Sequence, residues 1–594
     1  MSPSGSPGDP VVLLERSDRA GWSVYDEPLE ILSTDRRDRV HAVVERAEAA
    51  AADGLEACGF LSYEAASAFD PALRTRPAGA LPLVWFALFE PGPPVAGDLG
   101  GIGAGDGFAH DEWTPSIEEA DHRRAIERIR AWIARGDTYQ VNYTLRLRTA
   151  FEGDPLAWFT HLTRGHRAGR AAWVDTGRHA LLSLSPELFF DYAEGRLTTR
   201  PMKGTAPRGR TLAEDRAITE RLRSSEKDRA ENLMIVDMMR NDLGRVARPG
   251  SVEVASLWDV ERYPTLFQMT STCTAACDAP VSEVLAALFP SASITGAPKA
   301  RTTELIAELE TTPRGIYTGA IGSIGPGRRA SFNVAIRTVH VDRELGRAEY
   351  GTGGGIVWDS RPDAEYRECL TKALVVTASE PEFALLETLR WEPEAGFHLL
   401  DRHLERLADS AEYFDRRCEL AAVKRRLGHA VEGKRVSQRV RLTLARDGSI
   451  AIESHDLEPV RRDRRVAFAR RPIDPADRFL FHKTTHRKVY DEARAEADGV
   501  DDVLLWNDRG EVTESTIANL VVRLGGELLT PPAESGLLAG TERAALLARG
   551  EVREARLTRD DVVRAERLFL INSVRGRMSA ELVQPAETLA GGFS

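Results

Sequence analysis

The chain has 594 residues, of which 42% are hydrophobic and 29% charged, with a formal net charge of −12. That length exceeds what one ordinary core serves, so at least two domains are expected, and the composition is that of a globular rather than a disordered chain. The acidic balance argues against a dedicated nucleic-acid binder, and no uninterrupted apolar run reaches membrane-spanning length, so a cytoplasmic enzyme is the expectation.

Five scattered cysteines (Cys58, Cys273, Cys277, Cys369 and Cys418) form no CxxC pair, which fits a reducing compartment without a disulfide framework. The Gly/Pro-rich stretch from Glu90 to Gly107 predicts a long surface loop or a sub-domain connection. After it, "SIEEADHRRAIERIRAWIARGD" has apolar residues at helical spacing and a Gly-Asp stop, predicting an amphipathic helix. The run "ALLSLS" reads as a strand. In "RPMKGT" a single lysine, Lys203, stands between a proline turn and a glycine. It is either a solvated loop lysine or an amine held in a site, where desolvation turns it into a nucleophile.

A second helix is predicted over "KDRAENLMIVDMMRNDLG", with Glu231, Ile235 and Met238 or Met239 on neighbouring turns. "AIRTVHV" and "GGIVW" read as strands. Near residue 378 a Ser-Glu-Pro break precedes a new strand-like start, giving domains 1–377 and 381–594. Basic runs such as "KRRLGHAVEGKR" and "VRRDRRV" read as solvated faces.

Three carboxylate-rich segments, "LSPELFF", "AENLMIVDMMRNDLG" and "PDAEYRECLTKA", lie among apolar residues, where a charge is costly unless paired or metal-bound. Glu231 and Glu368 precede helical patterns. They either bridge to Arg229 and Arg367 or hold Mg²⁺, which accepts one or two protein carboxylates and leaves the rest to water and substrate. "YGTGGGIVWDS" is either a bulged turn or a backbone cradle for an anion.

Together, "GDTYQVNYT", "SPELFF", "RPMKGT", "AENLMIVDMMRNDLG", "SITGAPKARTTELI", "GIYTGAIG", "AIRT", "GTGGGIVWDS" and "EYRECLTKA" resemble, in order and spacing, the chorismate-utilising enzymes over residues 10–376. The resemblance is to the aminodeoxychorismate synthase component I branch, with anthranilate synthase component I next to it. It implies an α/β sandwich with chorismate and Mg²⁺ in a central cleft. Glu231 and Glu368 match the metal ligands. Ser293, Thr295, Tyr317, Arg337, Lys372 and the amides of Gly353, Gly354 and Gly355 match contacts to substrate. Glu187 matches the general acid that protonates the departing C4 hydroxyl. Lys203 matches a lysine that attacks C2, where anthranilate-forming relatives usually carry alanine. Gln140 stands where isochorismate-forming relatives use a lysine base, and Gln268 where anthranilate synthases have a histidine. "VVLLERSDRAGWSVYDEP" resembles the region that binds tryptophan in these proteins. No stretch resembles a glutamine amidotransferase, so ammonia is expected from solution or from a separate amidotransferase subunit.

Farther on, "FHKTTHRKVYDEA" reads alone as a solvated turn and "EVTESTIAN" as a strand ending at a helix cap, Ser515 or Thr516. With "ALLETLR", "RHLERLADSA", "TPPAESGLLAGTERAALL" and "FLINSVRG" they resemble the fold-type IV pyridoxal-phosphate enzymes over residues 381–590. That resemblance implies a two-lobed domain in which Lys483, or less closely Lys488, anchors pyridoxal 5'-phosphate. Glu514 would face the pyridine nitrogen, and Arg406, Thr516, Ile517, Gly540 and Thr541 would hold the phosphate. It also allows a homodimer through this domain. The fold class expected for the whole is α/β (α+β). The fusion implies 4-aminobenzoate synthesis from chorismate. The rival readings are an anthranilate-type synthase fused to an aminotransferase, and a synthase with a C-terminal module that only dimerises.

Overall fold

The computed structural model describes residues 11–16, 21–92, 95–96, 99, 107–165, 169–377, 381–458 and 463–583. The boundary expected near residue 378 and much of the Glu90–Gly107 stretch lie outside these residues. The chain divides into two compact units, one of Met1–Pro207 with Thr219–Glu380, the other of Arg208–Ile218 with Pro381–Ser594.

The first unit is built on two large antiparallel sheets, of eleven and ten strands among the described residues. In the first, the strands Gln140–Gly153 and Arg347–Ile356 pair without interruption from Arg347 opposite Ala150 to Ile356 opposite Val141. Residues 140–147 are buried on both faces, the polar Gln140, Asn142, Thr144 and Arg146 alternating with the apolar Val141, Tyr143, Leu145 and Leu147. Val12, Val174 and Leu181 of the first sheet share one core cluster with Phe60, Trp85 and Ile321 of the second. Helices cover the outer faces. Val40–Ala52, Glu226–Gly244 and Val281–Leu288 bury apolar residues with the second sheet, while Trp158, Phe159 and Cys369 pack with the first. The expected sandwich is the observed one.

The expected helices form as Glu119–Ala134 and Glu226–Gly244. The second begins where Ser225 Oγ accepts the Asp228 N–H at 3.3 Å, with Glu226 and Asp228 in its positive first turn. Ile235 and Met239 then bury one face.

The second unit has two lobes. A four-stranded antiparallel sheet packs on the helices Leu400–Tyr413 and Leu420–Ala430 through Leu389, Leu404, Leu407, Val423, Leu427 and Val440. Among the described residues an eight-stranded mixed sheet closes six of its strands into a barrel where Glu514 pairs with Asn519, filled by Val466, Leu504, Val512, Leu520 and Leu570. The alternative of a helix cap at "EVTESTIAN" is not what forms. Val512–Ser515 turns directly into Asn519–Leu524, and Ser515 Oγ accepts the Ala518 N–H at 3.0 Å across that turn. Among the described residues no helix is long and apolar enough to cross a membrane, and all five cysteines are free thiols.

The sequence reading places residues 208–218 in the first domain, but their contacts group them with the second unit. Arg208 lies over the Tyr413 ring at 4.3 Å, and its Nη2 donates to the Tyr413 carbonyl at 2.8 Å. Its Nε donates to Asp215 at 2.8 Å, and Tyr413 Oη donates to the Gly209 carbonyl at 2.6 Å. Both charges of the Arg208–Asp215 pair are buried, with side-chain exposures of 7% and 4%. Removing one partner strands the other. Arg208→Ala is expected to destabilise the second unit by about 3–5 kcal/mol, read as a lower urea midpoint. An unchanged midpoint would show that the segment contributes nothing to that unit.

Candidate active sites

In the first unit Lys203 lies on the strand Met202–Pro207, whose pairing with Leu266–Ala276 is irregular between Met202 and Thr205. Gly204 fills that irregularity at φ +104°, where a Cβ would lie 3.2 Å from the Cβ atoms of Asp228 and Met269. The strand therefore presses against the helix Glu226–Gly244. Asn232 fixes it there. Its Nδ2 donates to the Lys203 carbonyl at 3.2 Å, while its Oδ1 accepts from Ser271 Oγ at 2.6 Å. Lys203 Nζ lies 3.1 Å from Glu231 Oε2, and both side chains are mostly buried.

The glycines of "GTGGG" make the opposite wall. A Cβ on Gly355 would lie 2.9 Å from Lys203 Nζ and 2.8 Å from Gln140 Nε2, so this residue leaves the room in which the two side chains meet. Both amide atoms of buried Gln140 lack a hydrogen-bond partner, an expensive state that a polar ligand would relieve. Gly354 faces Glu365, whose Oε2 would be 3.1 Å from a Cβ. Lys372 Nζ donates to the Gly353 carbonyl at 2.9 Å and pairs with Glu368 Oε1 at 2.8 Å.

Glu187 is buried, and burial raises its pKa to about 7 against the opposing pull of the Ser293 hydroxyl and the Met202 N–H. Ser293 Oγ donates to Glu187 Oε1 at 2.6 Å. Half-buried Arg337 has positive φ (+49°) and no carboxylate partner among the described residues; it lies over Tyr263 at 5.8 Å. Burial lowers its pKa, so a substrate carboxylate would suit it. Buried Tyr317 stacks its ring against Gly351, where a Cβ would collide at 2.1 Å. Thr295 is buried, with its hydroxyl donating within its own turn to Ser291 and Ala292.

The bland expectation for the two helix carboxylates does not form. Arg229 stacks on Trp258 at 3.8 Å, and Arg367 Nε donates to the Asp363 carbonyl at 3.1 Å. Both glutamates turn instead to lysines, Glu231 to Lys203 and Glu368 to Lys372. Burial raises the Glu365 pKa; at Glu368 burial pushes the same way, but Lys372, Lys203 and Lys227 together pull it below the ordinary carboxylate value. Gln268 holds the lysine strand, its Nε2 donating to the Gly204 carbonyl at 3.0 Å and its Oε1 accepting from Thr205 Oγ1 at 3.1 Å.

In the second unit a cavity of about 360 Å³ is lined by Lys483, Glu514, Arg406 and Thr541, among others. Burial and the Arg406 charge lower the Lys483 pKa to about 8. Lys488 points away, with 69% of its side chain exposed beside Glu492. Burial raises the Glu514 pKa to about 7, although Leu538 N, Tyr490 Oη and Asn519 Nδ2 donate to it at 2.9, 2.9 and 3.0 Å. Arg406 grips Glu387 through Nε at 2.9 Å and Nη2 at 2.7 Å. Against burial, Arg406 and His403 pull the Glu387 pKa down to about 2. Gly540 and Thr541 open the helix Thr541–Ala548, whose first-turn N–H groups have no intrahelical acceptor. A Cβ on Gly540 would meet Asn519 Oδ1 at 2.0 Å. The Thr516 N–H already donates to Asp502 Oδ1 at 3.2 Å and the Ile517 N–H to Ser515 Oγ at 3.4 Å, so a phosphate there would compete for both.

Residues 104–378 match the family model of chorismate binding enzymes, and residues 384–582 that of amino-transferase class IV. The chain carries one domain of each. A 262-residue stretch, 44% of the chain, is 42% identical to aminodeoxychorismate synthase component 1 of Salmonella typhimurium and covers 57% of that protein. A 267-residue stretch, again 44% of the chain, is 42% identical to anthranilate synthase component 1 3 of Haloarcula marismortui and covers 52% of it. The chain thus spans about half the length of these curated relatives. The solved structure of anthranilate synthase component I from Streptococcus pneumoniae matches with TM-score 0.52 at 23% identity, over 63% of this chain and 93% of that one, a likeness of fold.

Sequence reasoning missed Asn232 and Glu365 in the chorismate-binding domain, and Tyr490, Asn519 and Glu387 in the class IV domain. Glu365 was within reach, one helical turn before Glu368. Tyr490 and Asn519 act through Glu514, a partnership that only folding creates. The class IV cavity separates the two candidate lysines. Lys483→Ala, incubated with pyridoxal phosphate, should lack the visible absorbance of a lysine-linked cofactor, while Lys488→Ala should retain it. The reverse pattern would move the anchor to Lys488.

Proposed function

We propose that the chain converts chorismate to 4-aminobenzoate in two steps, one in each domain. The observation that carries this reading is the meeting of Lys203 Nζ and the unpartnered Gln140 amide over Gly355, beside a Glu187 that burial keeps half protonated near pH 7. Relatives with two different names stand at the same 42% identity, so the branch is argued from residues rather than from similarity. Lys203 favours amination at C4, and Gln268, engaged at both ends of its amide, offers no titratable ring for an early elimination.

Lys203 Nζ forms a bond to C2, both ring double bonds shift (C1=C2 to C1=C6, C5=C6 to C4=C5), and the C4–O bond breaks as Glu187 protonates the leaving hydroxyl. Ammonia then bonds to C4, both double bonds return and the lysine nitrogen leaves C2. Gln140 cannot take a proton, which disfavours water as the nucleophile. Arg337 and Lys372 would neutralise substrate carboxylates. Glu231 and Glu368 fit Mg²⁺ as hard oxygen donors and would set its charge against a substrate carboxylate. Among the described residues no group of three or more metal-ligating side chains exists, so the ion would complete its shell with substrate and water. The relative's printed name, component 1, supports a separate amidotransferase component as the ammonia source. The free thiols fit the cytoplasm.

The class IV cavity fits pyridoxal 5'-phosphate: a buried amine of lowered pKa, a buried carboxylate opposite, and Gly540 with Thr541 at a helix start. Bound there, the cofactor would supply an electron sink for the C4 amine. Glu514 would hold the ring nitrogen, with Tyr490 and Asn519 orienting its carboxylate. Lys483 would take the C4 proton. The C3–O bond then breaks, pyruvate departs and the ring becomes aromatic.

Two measurements test the reading. With chorismate, ammonium, Mg²⁺ and pyridoxal phosphate the full chain should release 4-aminobenzoate and pyruvate. Lys203→Ala should lose at least about 100-fold of C4 amination while still binding chorismate; unchanged amination rejects the nucleophile. The second is the pH profile. Glu187 must donate a proton, so amination should fall about tenfold per pH unit above about 7. Glu187→Gln should leave a low rate without that limb; persistence of the limb assigns it to another group.

A further inference from the structure

The class IV cavity holds cations that the cofactor does not account for. The strands Leu385–Glu392 and Gln438–Leu444 pair with Thr388 opposite Arg441 and Arg390 opposite Arg439. Val440 and Leu442 point into the core, so strand alternation turns Arg439 and Arg441 to the other face, where both line the cavity with Thr388. Arg575, in the turn between Arg567–Asn572 and Gly576–Leu582, reaches the same cavity. None of the three guanidiniums has a carboxylate within 4.0 Å among the described residues. Glu453 lies opposite Arg441 in the register but is exposed at its side chain. Burial, followed by the charges of Arg464 and Arg439, lowers the Arg575 pKa despite an opposing contribution from Glu458.

The other cations of the cavity are already engaged. Arg406 is bound to Glu387, and Arg487 donates to the Thr516 carbonyl. A cluster of like charges without counterions is costly in the folded protein and gains most from an anionic ligand.

We propose that Arg439, Arg441 and Arg575 form a two-carboxylate clamp that makes the class IV domain selective for cyclic amines bearing two carboxylates. The proposal deepens the lyase reading and rests on it for the identity of the substrate. 4-Amino-4-deoxychorismate carries one carboxylate on the ring carbon opposite its amine and a second on the enolpyruvyl arm. With its amine toward Lys483, the ring carboxylate lies across the ring from that lysine and the enolpyruvyl carboxylate projects on its arm from the carbon next to the amine. An α-amino acid carries its carboxylate one carbon from the amine and cannot span that distance. The clamp would therefore separate a lyase from an amino-acid aminotransferase on the same fold, by rewarding one substrate and leaving guanidiniums unmatched by the other.

The test uses the full chain loaded with pyridoxal phosphate, as parent, Arg439→Gln/Arg441→Gln and Arg575→Gln. An unchanged visible cofactor spectrum shows that each variant retains the site. Each variant should raise KM for pyruvate release from 4-amino-4-deoxychorismate at least about tenfold, with a smaller change in kcat. As unreactive probes, isophthalate should bind the parent at least about tenfold more tightly than benzoate, read by calorimetry, and the variants should lose that preference. Parent KM values in the variants would overturn the clamp while leaving the lyase reading intact. No pyruvate from the parent, with an isophthalate preference that the variants abolish, would overturn the lyase reading and leave the clamp. Equal binding of isophthalate and benzoate by the parent would overturn the clamp.

Discussion

The close approach of the strand Met202–Pro207 to the helix Glu226–Gly244 is the constraint on which the first site depends. At Gly204 no side chain longer than hydrogen fits without displacing Asp228 and Met269, and Asn232 ties the Lys203 carbonyl to the same helix. With the backbone fixed, the lysine side chain has one polar neighbour on its helix, Glu231, and one open direction, over Gly355. A second constraint meets it there. The ladder between Gln140–Gly153 and Arg347–Ile356 holds the glycine wall in place through backbone bonds, so the wall needs no side chains of its own. Position is supplied by main chain and chemistry by the few side chains that main chain leaves room for.

Burial then sets protonation. Glu187 and Glu514 are raised to about 7 and Lys483 is lowered to about 8, each chiefly by desolvation. The sign of the linkage follows. For the two carboxyls, native-state stability is complete below the unfolded value near 4.5 and is lost as pH rises through about 7. For the lysine it is complete above 10.5 and is lost as pH falls through about 8. Around neutrality all three groups oppose folding. Bound ligands relieve that burden where they pair with the ionised forms, so the cost of empty sites becomes affinity for occupied ones.

Much of both sites was legible because their residues lie in contiguous stretches of unusual composition. "RPMKGT", "SPELFF" and "GTGGG" each bring a candidate site residue together with the proline or glycine that shapes its backbone. What the sequence could not reveal is partnership across long separations. Glu231 has Arg229 two positions away, yet it pairs with Lys203, because the helix turns Arg229 toward Trp258. Gln268 reads as a lost histidine, and only the register with Met202–Pro207 shows it bracing the lysine strand. Arg439 and Arg441 read as the polar half of an ordinary alternating strand. Nothing local tells which solvent-side face of a strand overlooks a cavity.

The same limit explains the segment 208–218. Its sequence, arginine-rich and running into the helix Leu212–Ser224, gives no reason to separate it from the residues on either side. The reason lies some two hundred positions later, in the aromatic surface of Tyr413 and His482, which takes Arg208 over the ring and the Arg210 carbonyl at 3.0 Å from His482 Nε2. His482 adjoins Lys483 and is also bound to Ser410 at 2.9 Å on the helix that carries Arg406. The wall behind Lys483 is therefore completed by residues that directly follow the strand of Lys203. A fusion of two independent domains needs only a linker. This chain has given residues 208–218, which follow the strand of Lys203, to the framework of the second unit.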